Sequence, residues 1–172
     1  FFEGLDRRAQ DRSRHKAPMT YERLMHRSFG GGSFWEIGPR GLQLEDVRLF
    51  LDEGGDVNRR AESGQTLLHI AADNGDIDVI KLLVSRGADV NAKGYRNYTP
   101  LHLAVDLDCN TSGRNCRRAT ELPVTKTLLE LGGDPSVKDD DGETPRDTAV
   151  LYGKKETGLF DELVRNLAKV KQ

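Results

Sequence analysis

Gly54-Gly55-Asp56-Val57-Asn58 returns 33 residues later as Gly87-Ala88-Asp89-Val90-Asn91, and the flanking residues match along with it. A fixed period of this length constrains the chain more than any single motif. It marks small stacked units, each unable to bury its apolar face without a neighbour, so that one core runs along the stack. The clearest unit opens near Arg60 with Gly64-Gln65-Thr66-Leu67-Leu68-His69-Ile70-Ala71-Ala72. It continues through Val79-Ile80-Lys81-Leu82-Leu83-Val84 and closes at Gly87 to Ala92. This pattern predicts two short helices and a turn. Leu68, Ala71 and Ala72 share a face of the first helix, and Val79, Ile80, Leu82 and Leu83 form a broad apolar stripe on the second. Gly75 and Gly87 are placed to end them.

The next unit carries Thr99-Pro100-Leu101-His102, and the last reads Gly142-Glu143-Thr144-Pro145-Arg146-Asp147-Thr148-Ala149. These tetrads and their GADVN-like turns resemble the ankyrin repeat over roughly Phe34 to Leu167. The resemblance implies an all-α ankyrin solenoid of stacked helix-turn-helix units with projecting β-turn or hairpin loops. The expected layout is a basic segment and glycine linker over 1–32, then the repeat domain over 33–172. Within it lie a degenerate first unit (33–59), a second (60–92), a third (93–137) and a capping fourth (138–172). In the first unit Phe34-Trp35-Glu36-Ile37 replaces the Leu-Leu-His-Ile of the second, and Phe34 and Trp35 are expected to seal that end. In the fourth, Arg146 takes the leucine slot and Asp147 the histidine slot, as expected of a terminal unit with one face toward water.

Thr99 to Thr144 spans 45 residues, so twelve are inserted, near 108–122 and between the two helices of the third unit. The insert holds Cys109, Cys116, Arg114, Arg117 and Arg118. Ahead of the array, residues 1–29 carry a net charge of +3. Pro18 interrupts a long helix there, while Tyr21 to Arg27 predicts a short one packing on the first unit.

A formal charge of −2 over 172 residues provides no overall field for nucleic acid or an anionic membrane. No run approaches the roughly 18 apolar residues of a membrane span, and the N-terminal residues lack the apolar stretch of a signal peptide. Because the chain begins at Phe1, it is expected to be processed, trimmed or cut from a longer polypeptide. Two cysteines fit a reducing compartment. A cytoplasmic location is therefore expected, with a nuclear one as the alternative. Asn97-Tyr98-Thr99 and Asn110-Thr111-Ser112 leave secretion open.

His69 and His102 each follow a threonine by three residues, a spacing that belongs to the scaffold. Cys109 and Cys116 admit free thiols, a disulfide or two metal ligands, although six intervening residues exceed the usual zinc spacing. Gly153-Lys154-Lys155 lacks the remainder of a P-loop, and Asp139 to Glu143 lacks the distal glutamate of a calcium loop. No metal, cofactor or catalytic residue is assigned. Catalysis by a cysteine with His102 as base is the weakest alternative.

The resemblance further implies recognition of another protein through the turns and the exposed face of the first helices. That surface would comprise Arg60, Glu62, Ser63, Gln65, Asp73 and Asn74 in the second unit. The third adds Lys93, Tyr95, Arg96, Tyr98, Asp106 and Leu107, and the fourth Lys138, Asp140, Asp141, Glu143, Leu151 and Tyr152. Tyr95, Arg96 and Tyr98 belong to residue types enriched in binding hot spots, while the acidic turn would steer a basic segment. The expected function is a non-enzymatic protein–protein interaction module, monomeric when free, whose partner carries basic and acidic patches. Alternatives are a targeting or regulatory portion of a larger enzyme or effector, and an inhibitor or immunity-type binder. Arg114, Arg117 and Arg118 are candidate partner contacts, and the resemblance marks Asn91 as a candidate for asparaginyl hydroxylation.

Overall fold

The computed structural model describes residues 18–29, 41–115 and 122–170. These residues form eight α-helices: α1 Tyr21–Phe29, α2 Leu44–Asp52, α3 Leu67–Asn74, α4 Ile77–Ser85, α5 Pro100–Asn115, α6 Pro123–Glu130, α7 Pro145–Tyr152 and α8 Lys154–Val170. A 3-10 turn, Tyr95–Asn97, sits in the finger that precedes α5. The first helices α3, α5 and α7 stack side by side, and the second helices α2, α4, α6 and α8 form the layer behind them.

Helix α3 shows why the stack is needed. Its residues Leu67 to Ala72 are all buried, more than the one-sided face read from sequence, because the helix is covered by its neighbour in the stack and by the second layer. Thr66, in extended backbone, starts the helix through a reciprocal bond with His69. Gly75 ends it in the left-handed region (φ 77°), where a Cβ would also press on the Leu107 side chain at 3.1 Å. Thr144 and Asp147 start α7 in the same way.

The short helix predicted ahead of the array is α1, and it docks. Leu24 is fully buried, and the Tyr21 ring meets Phe50 of α2 edge-on at 6.2 Å. Arg59 lies over the Tyr21 ring at 4.5 Å, and Arg27 pairs with Asp46 at 2.8 Å. Phe34, Trp35 and the glycine linker at 30–32 lie outside the described residues. Among the described residues, α1 covers the outer side of α2.

The insert does not begin between helices. It begins as a continuation of α5, which runs for 16 residues where α3 has 8. Two side chains anchor the extension. The buried Asp108 carboxylate accepts the Thr125 N–H at 2.8 Å, satisfying an N-terminal donor of α6 from another helix. Cys109 packs with Leu122, Ala149 and Phe160 in a small core joining the third and fourth units.

Candidate functional site

The residues most suggestive of catalysis hold the units together. In the second unit the Thr66 N–H donates to His69 Nδ1 at 3.1 Å, while His69 Nε2 lies 3.0 Å from the Tyr98 carbonyl of the third unit. With Nδ1 accepting, Nε2 carries the proton and donates forward. Burial lowers the His69 pKa to about 4, so the ring is neutral at physiological pH. His102 repeats the arrangement toward the Glu143 carbonyl, at 3.4 Å. The turn asparagines form a second ladder. Asn58 Nδ2 donates to the Gly87 carbonyl at 3.1 Å and its Oδ1 accepts the Asp89 N–H at 2.9 Å. Asn91 does the same with the Gly132 carbonyl (3.3 Å) and the Asp134 N–H (2.8 Å). The candidate modification site is thus an interlock between two turns.

Among the described residues, three fingers project ahead of the first helices, closed by Ala61 N–H to Gln65 O, Gly94 N–H to Tyr98 O and Asp139 N–H to Glu143 O bonds. Glu62, Lys93, Lys138 and Glu143 are exposed on them, and Ser63 and Gln65 are half-buried. Several charged groups are engaged within the array. Arg60 donates to the carbonyls of Gly64 and Lys93, bridging the first and second of these fingers. Arg96 pairs with Asp141, Asn97 donates to Asp140, and the Asp140 N–H donates to the Arg96 carbonyl at 3.1 Å. Arg96 also lies 5.9 Å from the Tyr98 ring centre, and Tyr98 stacks on His102 at 5.5 Å. Of the trio expected to lead recognition, Tyr95 projects most freely, at 56% exposure.

The clasp holds unusual backbone. Arg96 and Asn97 both have positive φ, 54° and 58°, whereas Gly64 and Gly142 occupy the position of Asn97 in the neighbouring fingers. Asparagine tolerates this region; arginine there is uncommon and needs surrounding support. The contacts with Asp140 and Asp141 supply it.

A second strip follows the first helices away from the fingers. Asp73, Asp106 and Leu151 occupy one equivalent position in successive units, and Asn74, Leu107 and Tyr152 the next. The Tyr152 hydroxyl donates to Asp106 Oδ1 at 2.6 Å, which raises the Tyr152 pKa to about 12 and binds α7 to α5. Burial and the neighbouring Asp106 charge both raise the Asp73 pKa. Leu151 is 75% exposed and Val150 beside it 49%. Val150 lies outside the surface expected from the sequence. Its equivalents, Ala72 and Val105, are fully buried, so among the described residues the exposure of this position belongs to α7 alone.

Cys109 is a free, buried thiol whose pKa is pushed up to about 12 by burial and by Asp108, and His102 has both ring nitrogens engaged. The pair therefore provides no activated nucleophile. Cys116, Arg117 and Arg118 lie outside the described residues, as does the side chain of Arg114. Among the described residues, no group of three or more His, Cys, Asp or Glu is arranged to hold a metal ion. No helix there is long and apolar enough to cross a membrane.

Paired helices at one period, locked by forward-reaching histidines and asparagines, define a helical repeat array. Two family models match it: Ankyrin repeats (3 copies) over residues 39–112 and Ankyrin repeat over residues 96–140. Together they cover more than half of the chain, which belongs to the ankyrin-repeat family. Such repeats generally serve as protein–protein interaction modules. The matches end at residue 140, just before Arg146 and Asp147 replace the stacking leucine and histidine. No curated protein matches the chain.

Proposed function

We propose that this chain is a non-enzymatic binding module that recognises another protein across the fingers and the exposed face of α3, α5 and α7. The observation that carries this reading is a division of labour. The polar groups His69, His102, Asn58 and Asn91 are consumed between units, while the exposed Tyr95 and Leu151 have no residue of their own type at the equivalent positions of the other units. A scaffold with uniform ladders and individual surface residues suits recognition.

Affinity capture with the full chain tests the reading. A variant combining Tyr95→Ala, Asp106→Asn and Leu151→Ser is expected to lose the native partner. Lys81→Glu, on the exposed side of second-layer helix α4, is expected to retain it. Equal retention by both variants, each folded by circular dichroism, would sink the assigned face.

A further inference from the structure

We infer that the main recognition element is the strip formed by Asp73, Asp106 and Leu151, and that it takes a linear peptide segment pairing a lysine or arginine with a large apolar side chain. This rests on the proposed binding face and narrows it to one half.

The finger half spends Arg60, Arg96 and Asn97 on its own contacts, and its exposed charges, Glu62, Lys93, Lys138 and Glu143, are of mixed sign. The helix half carries one sign. Asp73 and Asp106 occupy successive copies of one position, and the charge of Asp106 already disfavours ionisation of Asp73. Asp106 receives one neutral hydroxyl, from Tyr152, and neither carboxylate has a salt-bridge cation among the described residues. An incoming ammonium or guanidinium would relieve that repulsion. The Tyr152 bond ties α7 to Asp106, and Leu151 takes in α7 the position that Asp73 and Asp106 hold in α3 and α5, with the exposed Val150 beside it in sequence. Large exposed apolar side chains next to a charged rim are a common feature of interaction sites.

Scale then selects the occupant. Neighbouring packed helices lie about 8–10 Å apart, and an extended peptide advances about 3.3 Å per residue. A basic residue on the acidic pair and an apolar residue on Leu151 would therefore stand about three to five positions apart in one segment.

The experiment is selection of the 172-residue chain against a displayed library of random linear peptides, followed by titration of the enriched sequences. The expected result is enrichment of Lys or Arg with a large apolar residue at that separation, and binding that weakens as salt rises. Affinity should fall about tenfold or more with Asp73→Asn plus Asp106→Asn, and again with Leu151→Ser, but change less than about twofold with Arg96→Gln. Failure to enrich any peptide, or enrichment of acidic ones, overturns the inference. Peptides lost with Tyr95→Ala yet retained by the strip variants overturn it while leaving the broader face standing. Peptides indifferent to both sets of variants overturn the broader face as well.

Discussion

The second and fourth units share a skeleton and differ where a following unit would touch them. Leu68 is fully buried between units, while Arg146 in the same slot is exposed and forms a bidentate pair with Asp161 at 2.7 and 2.9 Å. His69 caps its own helix and donates onward; Asp147 caps through the Thr144 N–H at 2.8 Å but, as a carboxylate, has no proton to pass on. At the turn that closes the third unit and leads into the fourth, Ser136 in the asparagine slot folds back onto Asp134 at 2.6 Å, whereas Asn91 spans to the next turn. The difference teaches that each position serves two ends. Helix capping survives in the last unit, and forward reach is the part that is dropped.

The strongest way to break this contrast is to truncate the same slot in both places. Leu68→Ala should cost about 2–5 kcal/mol, the range for cavity formation in a packed core, whereas Arg146→Ala should cost less than about 1 kcal/mol. Urea denaturation of the two variants checks this.

Acid sharpens the histidine comparison. The pKa of His69 is about 4 when folded against 6.5 as its ordinary value, so the unfolded chain binds the proton more readily. Its contribution is complete above pH 6.5 and is lost as pH falls toward 4, a change of about 3 kcal/mol. Denaturation across that window should show this slope in the native chain and a shallower one in His69→Ala.

The turn ladder should give a smaller difference. Asn91→Ala removes two inter-turn hydrogen bonds and is expected to cost about 1–2 kcal/mol, with Ser136→Ala near a few tenths. Thermal unfolding would order the pair, and the reverse order would contradict the one-way ladder. The smallest effect is expected from salt on the exposed Arg146–Asp161 pair. Asp161→Asn should shift stability by less than about 1 kcal/mol at low salt and by still less at high salt.

The layers and the roles of His69 and His102 were legible because stacking repeats the same constraint every 33 residues. The finger clasp was not, since Arg96 and Asp141 occupy equivalent positions in two units and their pairing depends on how the fingers lean together. Extension of α5 was hidden for a different reason. Asp108 to Asn115 contains Asn, Thr, Ser and Gly, all weak helix formers, and the anchors that override them, Thr125 and the core around Cys109, come from later in the chain. Val150 was not legible because its equivalents, Ala72 and Val105, are buried. Its exposure follows from position in the array, not from residue type.

The length of α5 bears on how charge is presented. Eight residues beyond the length of α3 carry its axis roughly 12 Å farther, which exceeds the screening length of about 8 Å at physiological ionic strength. The carboxylate of Asp106, in the first half of that helix, therefore lies more than one screening length from its far end. The acidic strip is thus felt locally, its field set by Asp106 and its neighbours on α3 and α7 rather than by the near-zero formal charge of the whole chain.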